Sequence, residues 1–386
     1  MTGSVLIVGG GIGGRATARV LARHGLGCTV LERRASHGRG MGVNLPGNAV
    51  RALAELGVPD QALASGVHVR RREYRNGRGR LLFRVDEDRF WRGVGRPVCV
   101  RYGDLLHALA LPAAAVLEHA KVVAARPTPG GVDVELEGAS APRHFDFVIG
   151  ADGVNSAMRL AVADDGLRPS SMTGTGWRFI ADNPGIACWT ACSGRDVTFL
   201  LIPVEEARVY GYAARTRGGT TGTDRSWLAL MAKGFLDPLG TAVAQALAGG
   251  ELHHGPVDEV RLERWHNARL VLIGDAAHAT GPVWAQGVAM ALEDAVVLGE
   301  LLARTPAEHW TGVGAAFERL RRPRVDHVSR QPTGCRGWPR PGWLRDMSAP
   351  ILGPKNYRAA YAPLRTGVNP GKNPALPNWY WPGGNP

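Results

Sequence analysis

Three acidic residues of this chain, Glu32, Asp152 and Asp275, each stand at or just after the end of a short apolar run. The runs, at residues 28–31, 145–149 and 270–273, are typical of buried β-strands. An ionised carboxylate only accepts hydrogen bonds, so a carboxylate placed at a strand end can hold the hydroxyls of a sugar or a polyol. The sequence contains no evident Ser/His/Asp or metal-ligand constellation. The pattern therefore predicts the binding of a hydroxyl-rich ligand and no metal.

A glycine-rich turn near the start of the chain predicts where the phosphates of such a ligand lie. Residues 4–8 form an apolar run, and Gly9-Gly10-Gly11-Ile12-Gly13-Gly14 follows directly, before a stretch of helical spacing at residues 15–24. In a strand, turn and helix of this kind, Gly9 allows the sharp turn and Gly11 lets the backbone approach a pyrophosphate, while Gly14 permits close packing of helix and strand. The unpaired amides and the positive dipole end of the helix then favour negative charge.

Glu32 indicates which nucleotide the turn accepts. It ends the second predicted strand, about 20 residues beyond the glycines, where an acidic side chain can accept hydrogen bonds from the two ribose hydroxyls of an adenosine. The same carboxylate repels a 2′-phosphate. The site is therefore predicted to hold FAD or NAD rather than NADP.

In their order and spacing, residues 9–14, 150–153 and 274–278 resemble the group A flavoprotein monooxygenases, the p-hydroxybenzoate hydroxylase-like family. Further similar stretches, such as residues 40–49 and 101–106, extend the likeness over most of the first 330 residues. The resemblance implies FAD as the cofactor. It assigns cofactor binding to Gly9, Gly11, Ile12, Gly13, Gly14, Glu32, Arg33, Arg39, Arg101, Asp152, Asp275, Pro282, Gly287 and Val288. Asp152 could equally be a turn or N-cap residue.

The segment that follows Pro282 departs from the family in a way that bears on the flavin ring. The family pattern PxxGQGxN is represented here by residues 282–289, with Ala285 where glycine is usual and Ala289 where asparagine is frequent. The resemblance places the amides of Gly287 and Val288, at the start of a helix, against the pyrimidine edge of the flavin. His278 invites a catalytic role, but a hydrogen-bonded structural histidine is the favoured interpretation.

The resemblance implies an activity as well as a cofactor. In the family, NADH or NADPH reduces FAD, O2 adds to give a flavin C4a-hydroperoxide, and an oxygen atom passes to the substrate. We therefore expect a monooxygenase that hydroxylates an aromatic or polycyclic small molecule of secondary metabolism. The sequence shows a single GxGxxG, so the nicotinamide cofactor is expected to bind only transiently. The open alternatives are an epoxidase or oxidative-rearrangement enzyme of the same family, or a flavin-binding or ligand-binding protein without turnover; the catalytic residues stay unassigned.

The predicted fold class is α/β, with a Rossmann-type FAD-binding domain and an inserted, mainly antiparallel substrate-binding sheet. We assign residues 1–68, 97–168 and 256–330 to the FAD-binding domain and residues 69–96 and 169–255 to the sheet. Residues 331–386 are rich in proline and tryptophan, and they are expected to form a tail that packs on the body. Within this tail, one short helix is predicted around residues 356–362.

The composition of the chain limits which classes of partner it can bind and in which cellular compartment it is expected. The formal net charge of the 386-residue chain is +12, but the basic residues are scattered and only four of the 46 lysines and arginines are lysines. This pattern argues against nucleic-acid binding. Five irregularly spaced cysteines and the lack of a signal peptide or a run of roughly 20 apolar residues predict a cytoplasmic protein without disulfides or a membrane span. We expect a monomer or a homodimer.

Overall fold

The computed structural model describes residues 3–34, 40–163, 170–194, 196–215, 222–281, 284–331 and 342–370. The strands of these ranges are β1 (Val5–Val8), β2 (Cys28–Leu31), β3 (Gly42–Leu45), β4 (Val67–His68), β5 (Arg71–Asn76), β6 (Leu81–Asp86), β7 (Val98–Arg101), β8 (Ala115–Glu118), β9 (Val122–Pro127), β10 (Val132–Leu136), β11 (Arg143–Phe145), β12 (Phe147–Gly150), β13 (Ser170–Asp182), β14 (Trp189–Ser193), β15 (Val197–Glu205), β16 (Arg208–Arg215), β17 (Glu251–Glu259), β18 (His266–Asn267) and β19 (Leu270–Leu272).

The helices up to α6 lie between these strands, and those from α7 onward follow β19 without a further strand in the described ranges. They are α1 (Ile12–Arg23), α2 (Gly47–Glu55), α3 (Glu87–Phe90), α4 (Tyr102–Ala108), α5 (Arg225–Ala232), α6 (Leu239–Gly249), α7 (Asp275–His278), α8 (Gly287–Arg304), α9 (Val313–Arg330) and α10 (Gly342–Tyr361). None of the helices in the described ranges combines the length and the hydrophobicity that a membrane span requires.

A six-stranded sheet forms the centre of the molecule, with the strand order β18-β19-β12-β1-β2-β8. All neighbouring strands are parallel except β18 and β19. The side chains of Val5–Val8 and Phe147–Gly150 are buried, as expected for strands covered on both faces. Because the chain leaves β1 toward β2 on one side and later returns at β12 on the other, the carboxyl ends of β1 and β12 border the crevice in which such sheets bind ligands.

A seven-stranded sheet, ordered β17-β13-β16-β15-β14-β5-β6, lies beside this core. Its neighbours are antiparallel except for the pair of β14 and β5. Helices α5 and α6 cover its outer face, where Phe179 and Phe199 pack with Leu228 and Val243. The predicted α/β fold with an inserted, mainly antiparallel sheet is therefore confirmed. Two three-stranded sheets, β11-β10-β9 and β3-β7-β4, complete the architecture, and the division into domains stays a prediction.

The tail differs from the prediction. In place of a short helix around residues 356–362, α10 extends over 20 residues and contains Pro350 and Pro354. Each proline removes one backbone hydrogen bond. The helix nevertheless packs on β6, where Gly353 lies against the ring of Phe83 and Ala349 is buried in a cluster with Leu82 and Phe83. Trp343, for which the composition suggested cover from water, is 62% exposed.

Candidate active site

The glycine-rich turn and the loop after β12 touch each other at the crevice. Gly9 has φ +109°, and a Cβ atom there would lie 2.3 Å from the carbonyl oxygen of Ala151. A Cβ atom on Gly14 would lie 1.9 Å from the carbonyl oxygen of Gly9, so helix α1 can approach β1 only because this residue is glycine. Gly11 is different: the one described atom within 4 Å of its Cβ position is the Tyr102 hydroxyl, at 3.6 Å. The turn is thus packed at Gly9 and Gly14 and open at Gly11.

Helix α1 directs its amino end into this opening. The helix begins at Ile12, which is buried, and its first turn carries no acidic side chain. A Cβ atom on Gly13 would meet only apolar side chains, with Ile273 at 3.5 Å. The helix start therefore combines free amide groups with a positive dipole end, which suits a phosphate group.

Glu32 is held in place beside the glycine turn. One carboxylate oxygen accepts a hydrogen bond from the Gly10 amide at 2.8 Å, and the other accepts one from the Arg34 amide at 2.9 Å. The side chain is thus fixed at the carboxyl end of β2, where each carboxylate oxygen can accept more than one hydrogen bond, including bonds from ribose hydroxyls. Arg33 is exposed, and Arg39 lies outside the described residues.

Asp152 stabilises its own loop in the structure. Its Oδ2 accepts a hydrogen bond from the Ala157 amide at 2.7 Å, and burial raises the pKa of its carboxyl against the opposing effect of Ser156. The buried Arg159 then joins this loop to the segment after β19, since its Nε donates to the carbonyl of Ala276 at 3.1 Å. A cofactor contact for Asp152 stays a prediction, whereas the structure shows that its carboxylate holds the loop 152–158 through the amides of Ala157 and Met158.

Asp275 presents its carboxylate to the crevice. The residue is exposed, and no donor among the described residues forms a hydrogen bond with its side chain. The protein walls of the crevice nevertheless keep much of the water away from the carboxylate, and this desolvation raises the pKa of Asp275. The positive charges of His278 and Arg159 partly oppose the shift. A Cβ atom on Gly287 would lie 3.7 Å from Oδ1 of Asp275, so the carboxylate stands beside the open start of α8, at Gly287 and Val288.

A buried charged network that the sequence analysis did not identify holds this turn. Asp294 of α8 accepts hydrogen bonds from the Gly274 amide at 2.9 Å, from His278 Nε2 at 2.6 Å and from Arg321 Nε at 2.7 Å. Burial alone would raise the pKa of Asp294, but His278 and Arg321 hold it at about 2. His278 therefore has the structural role favoured above. The overlooked signal is the acidic pair Glu293-Asp294 within the otherwise apolar stretch 288–298.

Arg101 is buried and points toward the seven-stranded sheet. It forms an ion pair with Glu251, and its Nε lies 3.8 Å from Glu205 Oε1. Its Nε and Nη1 have no hydrogen-bond partner among the described residues, so both nitrogens can still donate to a ligand. The predicted flavin contact of Arg101 is untested, and Pro282 lies outside the described residues.

The inner face of the seven-stranded sheet lies against β3, where a Cβ atom on Gly42 would lie 2.5 Å from the ring of Tyr210. Burial raises the pKa of Tyr210 to about 12, although Arg178 opposes this shift. Strand register places a row of side chains on this face, from β17 to β5: His253, Arg178, Tyr212, Leu200, Ala191 and Tyr74. A separate groove of about 640 Å³ lies between α5 and α6, beyond the outer face, and is not part of this site.

These features fit a bound FAD. Gly11 leaves space for a pyrophosphate at a helix start, and Glu32 is fixed where an adenosine ribose would lie. The carboxylate of Asp275 is exposed and accepts no hydrogen bond from a described residue. It can therefore accept hydrogen bonds from the hydroxyls of a ribityl chain. The Gly287 position is free of close contacts.

Comparison with known proteins agrees with this geometry. Residues 2–329 match the family described as FAD binding domain. The chain is 32% identical over 313 residues to aurachin C monooxygenase/isomerase of Stigmatella aurantiaca, covering 78% of this chain and 80% of the relative. It is 29% identical over 326 residues to 3-hydroxybenzoate 6-hydroxylase 1 of Aquipseudomonas alcaligenes, covering 79% and 82%.

Solved structures share the fold. A salicylate hydroxylase substrate complex matches with a TM-score of 0.77 at 21% identity, over 96% of this chain and 99% of the other. Klebsiella pneumoniae HpxO, complexed with FAD and uric acid, matches with a TM-score of 0.76 at 22% identity, over 94% and 92%. The chain therefore belongs to the FAD binding domain family and is an FAD-dependent monooxygenase of the group A flavoprotein type.

Proposed function

We propose that this protein uses NADH or NADPH and O2 to hydroxylate an aromatic or polycyclic small molecule. When bound, FAD supplies the electron transfer and the oxygen activation, which no side chain of the protein could provide. The observation that carries the proposal is the position of Asp275 and the start of α8, beside a crevice that borders the inner face of a second sheet. A secondary-metabolite substrate, a cytoplasmic setting and a monomeric or homodimeric state stay predictions.

In this proposal, different residues of the crevice bind different parts of the cofactor. The space beside Gly11 and the start of α1 hold the pyrophosphate, and Glu32 accepts hydrogen bonds from the ribose hydroxyls. Asp275 accepts hydrogen bonds from hydroxyls of the ribityl chain. The amides of Gly287 and Val288 stabilise negative charge on the pyrimidine edge of the flavin. The single glycine fingerprint supports transient binding of the nicotinamide cofactor.

The inner face of the seven-stranded sheet supports an aromatic acid as the substrate. Arg178 is only half-buried, and its described neighbours on this face are Tyr210, Tyr212 and His253 rather than a carboxylate. Burial lowers the pKa of His253, and Arg178 lowers it further, so the surroundings disfavour a second positive charge. A substrate carboxylate or phenolate would supply an anion for Arg178, which has no carboxylate partner among the described residues, while the tyrosine rings pack against an aromatic ring.

The test is a screen of the purified flavoprotein with matched aromatic acids and their neutral amides. We expect NADH or NADPH oxidation to rise when an acid is added, and the product to gain one oxygen atom. Arg178→Gln should raise KM for the acids by about 10- to 100-fold and change KM for the amides much less. If FAD binds but no aromatic compound accelerates oxidation, the binding protein without turnover is the correct alternative.

A second candidate is an oxidative rearrangement. One specific observation favours it, since the relative at 32% identity is named a monooxygenase/isomerase. Product structure separates the two candidates. A hydroxylated but otherwise unchanged skeleton supports hydroxylation, whereas migration of a carbon substituent, seen by NMR, supports rearrangement.

A further inference from the structure

Ala285 lies in a backbone conformation that alanine disfavours. Its φ is +51°, within the left-handed region, where a Cβ atom crowds the neighbouring carbonyl oxygen. Such a residue prefers other conformations by about 5- to 30-fold unless its surroundings hold it. This is the position at which the resembling family usually has glycine, so the strain belongs to this chain.

The residues on both sides of Ala285 are anchored. The carbonyl oxygen of Trp284 accepts a hydrogen bond from the Tyr361 hydroxyl at 2.7 Å. Oε1 of the buried Gln286 accepts one from Nδ2 of Asn48 at 3.0 Å. The strained residue is therefore held between two fixed points, of which one belongs to α2 and the other to the C-terminal helix α10.

The hydroxyl of Tyr361 is itself fixed by a buried ion pair. Nη1 of Arg72 donates to it at 2.9 Å, and Nε of Arg72 lies 2.8 Å from Oε1 of Glu87. The same carboxylate oxygen accepts a hydrogen bond from the Tyr357 hydroxyl at 2.5 Å. Because Arg72 and Glu87 are almost completely buried, neither can exchange these partners for water.

From this arrangement we propose that Tyr361 is a positioning residue that holds the segment 284–287 in its cofactor-binding conformation. The hydrogen bond to Trp284 offsets the strain at Ala285 and so keeps the start of α8 directed at the flavin. The C-terminal helix, which follows the part of the chain that matches the FAD-binding family, thereby contributes to cofactor affinity. The inference rests on FAD binding and is independent of the substrate.

The experiment measures the dissociation constant of FAD by flavin fluorescence during titration of the apoprotein. Tyr361→Phe should raise this constant by about 5- to 30-fold and shift the absorption spectrum of the bound flavin. In the double variant with Ala285→Gly, which removes the strain, the constant should return to within about 3-fold of the wild-type value. A purely structural role for Tyr361 would not produce this rescue.

Tyr357→Phe is the matched control, since it removes a hydroxyl from the same helix and the same buried cluster, and that hydroxyl donates its hydrogen bond to Glu87. It should lower the melting temperature but leave the FAD dissociation constant unchanged. The proposal is overturned if Tyr361→Phe binds FAD like the wild type, or if Ala285→Gly fails to rescue it. If Tyr361→Phe does not fold, the hydrogen-exchange rate of the Gly287 amide is compared between the wild type and Ala285→Gly. Ala285→Gly should exchange this amide a few-fold more slowly, and equal rates in the two proteins overturn the proposal.

Discussion

Asp275→Ala is the sharpest test of the cofactor site, because the structure separates its effect on binding from its effect on folding. The Asp275 side chain is exposed and accepts no hydrogen bond from a described residue, so its removal leaves no described donor without a partner. We therefore expect the free energy of unfolding of the apoprotein to change by no more than about 0.5 kcal/mol. Circular dichroism during urea unfolding measures this quantity.

The effect on FAD should be much larger. A hydrogen bond that involves a charged group contributes about 1.5–3 kcal/mol, so the loss of one bond to a ribityl hydroxyl raises the FAD dissociation constant by about 10- to 150-fold. Asp275→Asn keeps one acceptor oxygen without the charge and should lie between the wild type and Asp275→Ala. Because the pKa of Asp275 is raised, the advantage of the wild type over Asp275→Asn should shrink as the pH falls through that pKa.

Fluorescence titration of the apoproteins with FAD gives all three dissociation constants. Equal constants for the wild type and Asp275→Ala, with both proteins folded, would remove Asp275 from the cofactor site. A large loss of stability together with a loss of binding would instead show that Asp275 supports the fold, contrary to its lack of described partners.

Three further predictions concern the surroundings of this site. Asp294→Asn removes the charge that faces His278 and Arg321, so the free energy of unfolding in urea should fall by about 3–5 kcal/mol; a fall below 1 kcal/mol would contradict this role. Because the pKa of Asp294 is lowered from 3.8 to about 2, its contribution of about 2 kcal/mol is complete above pH 4 and is lost toward pH 2, so acid unfolding of the wild type should be steeper there than that of Asp294→Asn. Gly14→Ala places a methyl group 1.9 Å from the carbonyl oxygen of Gly9 and should lower the free energy of unfolding by about 1–3 kcal/mol, which an unchanged melting temperature would refute.

Much of the nucleotide-binding half was predictable because its signals are local. The run before Gly9 and the spacing after it specify a strand, a turn and a helix within about twenty residues, and β2 has the predicted bounds. The predicted strand at residues 270–273 corresponds to β19, and the helix expected to start at Gly287 and Val288 corresponds to α8, which begins at Gly287. Helices α5 and α6 were not predicted, because their apolar stretches are short and are stabilised by packing against the outer face of the sheet.

The sequence alone determined the glycine turn, the buried parallel strands and the carboxylates at their ends, because backbone sterics and apolar periodicity act between near neighbours. Tertiary structure alone decided which distant groups meet. Arg72 and Tyr361 are 289 positions apart, and nothing in either neighbourhood indicates the other. The strain at Ala285, the network around Asp294 and the long proline-containing helix likewise depend on partners that the chain brings together only after folding. Buried charges and disfavoured backbone angles persist only where such partners offset them.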